Sequence, residues 1–394
     1  MAIQSVPLVL DSRPDAAPAG TAAADVVGTD IAGLRALAGA VGPAGLAEVE
    51  RVLGRRVDTR SAALADFAVL LSPAAGGRLE ELAQLAHATT IRRFGPTVRL
   101  YAPLYLSNEC VSVCTYCGFS AGNDIRRRTL SVDEVVAEAA VLRAQGFRHL
   151  LLVAGEHARV VSKNYLVECV EALAHTVPQL SAEVQVWDTE TYRRLVRAGC
   201  DGLTVFQETY DPSTYAAVHL KGKKRNYVWR LAAPDRGAEA GMRRLGIGAL
   251  LGLHRDWRTD AIALAAHARA LTKRWWRCEV TIALPRLRPA AGGFQPADPI
   301  TDAEFVQLLC ALRIALPDVG INLSTRESPN LRDALVRLGV TTMSAGSHTE
   351  PGGYASVSDA EPQFEIADTR SPNEIASVLR AAGYDAVWKD WQRT

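Results

Sequence analysis

The sequence predicts an α/β protein whose main unit is a (β/α)8 TIM-type barrel. Between residues 98 and 344, eight short apolar runs alternate with stretches of helical periodicity, the pattern of repeated strand–helix units. The run at 150–153 is apolar at every position, as expected for a parallel strand that is covered on both faces.

The segments before the barrel have a different character. Residues 1–28 are rich in Ala, Pro, Gly and Asp without periodicity, so we expect a flexible N-terminal arm. Residues 29–95 carry short amphipathic patterns, such as the one at 79–86, and we expect an N-terminal helical extension there.

The barrel itself is expected to occupy residues 96–344. The predicted strands are 98–106, 149–153, 183–187, 202–206, 244–250, 278–284, 320–324 and 341–344. The predicted helices are 131–145, 162–174, 189–198, 226–241, 259–273, 302–315 and 328–337. Residues 345–394 contain a glycine-rich loop and a further helix near 371–382, and we expect this tail to complete the barrel and cover its mouth.

Composition limits the class of protein. Of the 394 residues 48% are hydrophobic, enough for a sizeable core, and a net charge of +1 gives no electrostatic footprint for nucleic acid. No apolar run reaches the ~18 residues that a membrane helix needs, and the N-terminal stretch lacks the basic region of a signal peptide. Four scattered cysteines fit reduced core residues of a cytoplasmic protein: Cys169, Cys200, Cys278 and Cys310.

Three further cysteines, Cys110, Cys114 and Cys117, form a CxxxCxxC pattern after the first predicted strand, with no fourth cysteine nearby. Iron–sulfur clusters normally take four thiolates, so three would leave one iron of a [4Fe-4S] cluster open. That iron can chelate S-adenosylmethionine, and an electron from the cluster then releases a 5′-deoxyadenosyl radical. Tyr116 is suited to lie against the adenine. The pattern is the signature of the radical S-adenosylmethionine superfamily, which the chain resembles here.

A helical core stretch, a zinc site or an electron-transfer centre would account for the three cysteines less well. Offsets of four and seven lie on one face of a helix, but Ser112, Thr115 and Gly118 within this stretch are poor helix formers. A zinc site would need a fourth ligand close by, and His87 and His149 do not have finger-like spacing. An electron-transfer protein would be expected to bind its cluster through a full set of thiolates.

Polar residues at the ends of other predicted strands are candidates for binding S-adenosylmethionine, because barrel enzymes keep their sites at that end. Glu156 can accept hydrogen bonds from the amino group of the methionine moiety, and Gln207 and Glu208 suit ribose hydroxyls or the same head group. Arg230 can pair with a carboxylate in a bidentate manner. Gly248 marks a place where the adenine could approach the strand closely.

The last three predicted strands end in arginines and hydroxyls. Arg286 and Arg288 follow the sixth strand, Arg326 follows the seventh, and Ser344 ends the eighth. Such a set indicates a substrate with an α-carboxylate, for example an amino acid.

Together these motifs resemble the 2-iminoacetate synthase family, the tyrosine lyases of thiamine biosynthesis, from about residue 65 onward. The motifs that carry the resemblance are 105–108, 114–120, 155–157, 207–210, 219–224, 285–289, 324–328, 351–354 and 388–391. The resemblance implies that L-tyrosine is cleaved between Cα and Cβ to 2-iminoacetate and p-cresol. It implies that Arg326 and Ser344 hold the tyrosine carboxylate, that Tyr105 lines the site, and that Phe119 belongs to the S-adenosylmethionine site. It also implies an electron donor of flavodoxin or ferredoxin type, and a thiazole synthase as partner.

Two related enzymes remain as alternatives. A tryptophan lyase of the same branch is the first, because no residue is identified that distinguishes phenol from indole. A tyrosine lyase that serves hydrogenase cofactor maturation would carry a second cluster on a C-terminal CxxC, whereas this chain has no cysteine after Cys310.

Overall fold

The computed structural model describes residues 21–23, 33, 36, 38–39, 44–54, 63–296 and 298–389. Its strands are β1 (Thr97–Ser107), β2 (Val113–Cys114), β3 (His149–Ala154), β4 (Gln179–Glu183), β5 (Gly202–Glu208), β6 (His219–Lys221), β7 (Arg244–Ala249), β8 (Glu279–Ala283), β9 (Gly320–Leu323), β10 (Thr342–Ser344) and β11 (Asp385–Val387).

Its helices are α1 (Leu46–Gly54), α2 (Leu64–Leu70), α3 (Pro73–Gly76), α4 (Leu79–Phe94), α5 (Val132–Ala144), α6 (Lys163–Ala174), α7 (Thr189–Ala198), α8 (Pro212–Val218), α9 (Tyr227–Leu231), α10 (Ala233–Ala240), α11 (Trp257–Arg274), α12 (Asp302–Ala315), α13 (Pro329–Val336) and α14 (Pro372–Ala381). A short 3-10 turn covers Lys223–Arg225. No helix in these described residues is long and apolar enough to cross a bilayer.

Eight parallel strands close into a barrel, which confirms the predicted fold class. They pair in the order β10, β9, β8, β7, β5, β4, β3, β1, and β1 pairs back to β10. Helices follow the strands and cover the barrel, and capping boxes are present at the starts of α5 and α12. The C-terminal ends of the strands therefore face one mouth, where the loops that carry the candidate residues converge.

The fourth strand lies earlier than predicted. The strand expected at 183–187 is wrong, because β4 runs over Gln179–Glu183 and pairs in register with β3 from His149 to Val153. The polar side chains of Ser181 and Glu183 line the barrel lumen, which hides this strand from a search for apolar runs. The apolar residues at 184–187 instead fill the loop after it.

Two other elements also differ from the prediction. The helix expected at 226–241 is divided into α9 and α10, with Pro234 in the first turn of the second. β11 was not predicted, and it adds a parallel strand beside Thr97–Arg99 at the start of β1. Trp388, directly after it, packs edge-on against Phe147 with the ring centres 5.4 Å apart.

The segments before the barrel pack against it through helices α1 to α4. Helix α4 lies on α12, and the Gln307 amide of α12 donates to the carbonyl oxygens of Leu70 and Ser72 at 2.9 and 2.8 Å. Most of the arm predicted at 1–28 lies outside the described residues. Within it, Ala22 and Ala23 are buried and donate their backbone N–H groups to Asp235.

Candidate active site

The cysteine loop follows β1 and lies at the mouth of the barrel. Its short strand β2 pairs antiparallel with β6, which places Cys114 opposite His219. The Arg127 guanidinium donates to the carbonyl oxygens of Asn108, Phe119 and Ser120 at 2.7, 2.8 and 2.8 Å. One half-buried cation thus ties together backbone before and after the cysteines and holds the loop in shape.

All three cysteines of the loop are free thiols. Burial raises the pKa of Cys114 to about 12 and also raises the pKa of Cys110, and in both cases neighbouring cysteines of the loop contribute. The three thiols therefore lie near one another.

The donor set fits a cluster better than a single ion. Among the described residues, no three His, Cys, Asp or Glu side chains converge on one metal position. In a [4Fe-4S] cluster each thiolate binds a different iron, so the ligands need not converge on a single ion. The three thiols at the barrel mouth are consistent with that group.

Tyr116 lies between the cysteine loop and the β6 segment. Its hydroxyl is 2.8 Å from His219 Nε2, and the two rings meet edge to face with centres 5.6 Å apart. Burial lowers the pKa of His219 to about 3, so the ring is neutral. His219 Nδ1 donates to the Tyr215 carbonyl oxygen at 2.8 Å, which leaves Nε2 to accept the proton of the Tyr116 hydroxyl.

Two carboxylates and two cations alternate beside the loop. Arg230 Nη1 donates to Glu156 Oε1 at 3.0 Å, and Arg230 Nη2 lies 4.0 Å from Glu208 Oε1. Lys224 Nζ donates to Glu208 Oε1 at 2.8 Å. Burial acts to raise the pKa of Glu208, but Lys224 and Arg230 outweigh it and hold that pKa below its usual value. Ser112 Oγ donates to the second oxygen of Glu156 at 3.1 Å, which joins the network to the cysteine loop. The carboxylate that Arg230 binds is thus Glu156.

Glu208 has an unusual backbone. Its φ is 72°, and it is the one described residue other than glycine with a positive φ. The pairing register between β5 and β7 shifts between Phe206 and Glu208, as at a β-bulge. Both Phe206 and Glu208 consequently face the mouth cavity. Strain of this kind is typical of functional positions.

Five predicted cofactor residues lie outside the cavity lining: Phe119, Glu156, Gln207, Arg230 and Gly248. Gln207 is buried with its amide nitrogen 3.5 Å from the Tyr227 carbonyl oxygen. Phe119 packs edge-on against Tyr105 at 5.9 Å. At Gly248 a Cβ would lie 2.5 Å from the Phe206 ring, so this glycine makes room for Phe206.

Arg326, Ser344 and Tyr105 also line the cavity. The Arg326 guanidinium carbon lies 3.3 Å from the centre of the Phe364 ring. Burial lowers the pKa of Arg326. Its sequence neighbour Glu327 pairs with Arg286 instead. Arg326 therefore has no carboxylate partner among the residues that the structure describes.

Ser344 is also available for a ligand. Its hydroxyl is buried and has no hydrogen-bonding partner within the described chain. Arg288 lines the same cavity, and its Nε is likewise buried without a partner. Buried polar atoms without partners are uncommon and point to a ligand or water.

The tail reaches the cysteine loop through Gln363. Its side-chain oxygen accepts from the Tyr105 hydroxyl at 2.8 Å, and its amide nitrogen lies 3.8 Å from Cys117 Sγ. Its backbone oxygen accepts from Gly118 N–H at 3.1 Å. Gln363 and Phe364 thus place the tail against both the cluster side and the arginine side of the cavity.

Sequence reasoning missed three residues of this site. Glu183 lines the cavity, and burial, with Glu208, raises its pKa to about 7; the misplaced fourth strand hid it. Lys224 belongs to the motif at 219–224 but was assigned no role. Gln363 lies in an irregular segment where no periodicity or spacing could have indicated it.

Comparison with known proteins agrees with this geometry. Residues 104–265 match the radical SAM superfamily, and residues 283–385 match the Biotin and Thiamin Synthesis associated domain. The chain is 45% identical to 2-iminoacetate synthase of Escherichia coli (strain K12) over 345 residues, which are 88% of this chain and 90% of the relative. It is 44% identical to 2-iminoacetate synthase of Salmonella typhimurium, again over 88% of this chain and 90% of the relative. The structure of the FeFe-hydrogenase maturase HydG from Carboxydothermus hydrogenoformans matches with a TM-score of 0.86 and 32% identity, over 93% of this chain and 85% of that one.

Proposed function

The chain belongs to the 2-iminoacetate synthase family of radical SAM enzymes, and from this membership we propose that it cleaves L-tyrosine between Cα and Cβ. The products are 2-iminoacetate and p-cresol, and 2-iminoacetate serves the thiazole moiety of thiamine. The 45% identity to a curated 2-iminoacetate synthase supports this reaction, and the match of residues 283–385 to the Biotin and Thiamin Synthesis associated domain supports the pathway.

The single observation that carries the proposal is the unpaired Arg326 at the mouth that also holds the cysteine loop. A guanidinium without a carboxylate partner in the described chain, stacked on Phe364 in a partly buried cavity, is suited to bind the carboxylate of an amino acid. Ser344 Oγ, which likewise has no partner there, offers a second contact to that carboxylate. Two such contacts fix the orientation of the substrate as well as its position.

Cys110, Cys114 and Cys117 would hold a [4Fe-4S] cluster that, with S-adenosylmethionine, supplies a 5′-deoxyadenosyl radical. Glu156 and Glu208 would accept hydrogen bonds from the amino group and ribose of S-adenosylmethionine. Lys224 holds Glu208 in place and Arg230 holds Glu156 in place, and the two cations keep the pKa of Glu208 below its usual value.

Tyr116 and Tyr105 complete the cavity between the two halves of the site. Tyr116 would present an edge to the adenine, with its hydroxyl held by His219. The Tyr105 hydroxyl is already held by Gln363, so its ring forms a fixed wall beside the cysteine loop. The tail at 345–389 would limit the access of water to the cavity, which protects a radical from side reactions.

The proposed partners are a reducing protein of flavodoxin or ferredoxin type and a thiazole synthase that receives 2-iminoacetate. The free thiols of all seven cysteines suit the cytoplasm. A tyrosine lyase for hydrogenase maturation is less favoured, since the identity to the maturase HydG is 32% against 45% to 2-iminoacetate synthase.

The test is anaerobic turnover of cluster-reconstituted protein with S-adenosylmethionine and dithionite, with tyrosine and tryptophan supplied in parallel. We expect p-cresol, 2-iminoacetate or its hydrolysis product glyoxylate, and 5′-deoxyadenosine from tyrosine. An indole product from tryptophan, with tyrosine left intact, would overturn the proposal in favour of a tryptophan lyase.

A further inference from the structure

Three large apolar side chains are exposed around the outer side of the cysteine loop. They are Val111, Val160 and Leu220, with 43%, 37% and 51% of their surface accessible. Each comes from a different segment. Soluble proteins bury most such side chains, and a group of them marks an interaction surface.

Two of the segments each contact the third, the cysteine loop. Val111 N–H donates to the Glu156 carbonyl oxygen at 2.9 Å, which joins the cysteine loop to the turn that carries Val160. A Cβ on Gly222 would lie 2.3 Å from Ser112 Oγ, so the backbone after Leu220 lies on the same loop. The apolar side chains thus belong to one surface.

Four exposed cations belong to the same segments: Arg159, Lys221, Lys223 and Arg225. None of these four forms an ion pair in the part of the chain that the structure describes, whereas exposed cations elsewhere do, as Arg126 does with Asp359. We call these four cations and the three apolar residues the loop-side patch. The protein has a net charge of only +1, so the positive charge of the patch is a local concentration.

Acidic residues near the patch do not neutralise it. In the segments 109–113, 156–160 and 219–225 the acids are Glu109 and Glu156. Glu156 is buried and paired with Arg230, and Glu109 is partly buried. The exposed charge of the patch is therefore positive.

The patch adjoins the cluster ligands along the chain. Val111 directly follows Cys110, and Leu220 follows His219, which lies opposite Cys114 in the β2–β6 pair. Any electron that reaches the cluster through this surface enters next to two of the three ligands.

We propose that the loop-side patch docks an acidic one-electron carrier protein that reduces the cluster; this rests on the proposed function. The carrier loses one electron to the cluster, and that electron splits S-adenosylmethionine into methionine and the 5′-deoxyadenosyl radical. A surface that combines apolar side chains with exposed cations suits a brief complex, because charge steers encounter while the small apolar contact allows release.

The test compares two reductants. The double variant Lys221→Glu/Lys223→Glu reverses two charges of the patch. The single variant Lys273→Glu is the matched control. Lys273 is an exposed lysine in the last turn of α11, at the opposite end of the barrel. Fully reduced flavodoxin and dithionite drive 5′-deoxyadenosine formation in separate reactions.

With flavodoxin we expect the double variant to lose at least tenfold in the second-order rate constant, while with dithionite all three proteins give equal rates. The flavodoxin rate of the unaltered protein should fall as salt is raised, and that of the double variant should not. Oxidised flavodoxin should also bind the double variant at least tenfold more weakly in a direct titration, a readout that does not depend on turnover.

Arg159→Glu, which lies outside β6, should show the same selective loss if the double variant disturbs the strand. Equal flavodoxin rates and equal affinities in Lys273→Glu and the patch variants would overturn the proposal, even if the patch proves to bind another protein. Failure of the proposed function is a separate outcome, because it would appear as absent tyrosine products with dithionite while flavodoxin binding still tests the patch.

Discussion

The guanidinium of Arg326 lies over the ring of Phe364, with its central carbon 3.3 Å from the ring centre. The ring belongs to the tail and the arginine to the loop after β9, so the tail holds the guanidinium in one orientation. Burial lowers the pKa of Arg326, yet an arginine remains charged, and its charge is left for a ligand to neutralise.

Replacement of Arg326 by Lys should abolish most tyrosine cleavage while the cluster and S-adenosylmethionine binding persist. Lysine cannot reproduce the planar fork, and a charge-assisted contact of about 1.5–3 kcal/mol corresponds to roughly a ten- to hundredfold loss in kcat/KM. The measurement is p-cresol formation, with 5′-deoxyadenosine followed separately because uncoupled cleavage of S-adenosylmethionine can continue. Arg277→Lys, at an exposed position, is the control. Unchanged kinetics would assign Arg326 a structural role and direct attention to Arg288.

Replacement of Cys110, Cys114 or Cys117 by Ala should each remove the cluster and all cleavage of S-adenosylmethionine. Each variant leaves two thiolates, too few to hold four irons. The measurement is the iron and sulfide content of each variant after anaerobic reconstitution. Cys278→Ala, whose thiol lies 3.2 Å from the Met242 carbonyl oxygen and away from the loop, should keep about four irons per chain. A full complement of iron in any loop variant would contradict the assignment.

Replacement of Gly118 by Ala should detach the tail from the cysteine loop. A Cβ there would lie 2.4 Å from the Gln363 carbonyl oxygen and 2.9 Å from that of Pro362, so backbone must move. Overpacking of this kind costs about 1–3 kcal/mol. Limited proteolysis should cut the tail faster, and cluster content should fall. Gly122→Ala is a control from the same loop, because its Cβ would meet nothing within 4 Å. Equal proteolysis of the two variants would refute the contact.

Replacement of Glu183 by Gln should stabilise the protein at pH 8 and have little effect near pH 5. Burial and Glu208 raise the folded-state pKa of Glu183 to about 7, above its value in the unfolded chain. The folded state then binds more protons than the unfolded state between about pH 4.5 and 7, so stability falls as pH rises through that window. Glutamine mimics the protonated form and so avoids this loss of folding stability. We expect the loss in the unaltered protein to be about 1–3 kcal/mol at pH 8.

Anaerobic thermal unfolding at several pH values checks this prediction. The difference in melting temperature between the variant and the unaltered protein should widen from pH 5 to pH 8. Glu190→Gln is a suitable control, because Glu190 is an exposed residue in the first turn of α7. A constant difference across the range would show that Glu183 titrates at an ordinary pH.

Most of the fold could be predicted from the sequence because seven of the barrel strands are apolar runs with helices between them. The fourth strand could not, because Ser181 and Glu183 face a polar lumen and break the apolar pattern. The cysteines and Arg326 could be identified because their chemistry depends on residue type and spacing. The partners of Glu156 and Tyr105 could not, because Arg230 and Gln363 reach them from segments distant in the chain.

The start of β1 has neighbours on both sides that come from late in the chain, β10 at 342–344 and β11 at 385–387. While the protein is being synthesised, the start of β1, which leads into the cysteine loop, therefore cannot complete its pairing until β10 and β11 have been made. Closure of a sheet between such distant segments is slow, because the entropy of a long loop must be lost first. We therefore expect cluster insertion to follow the synthesis of β11, so that iron delivery acts on a chain whose barrel has closed.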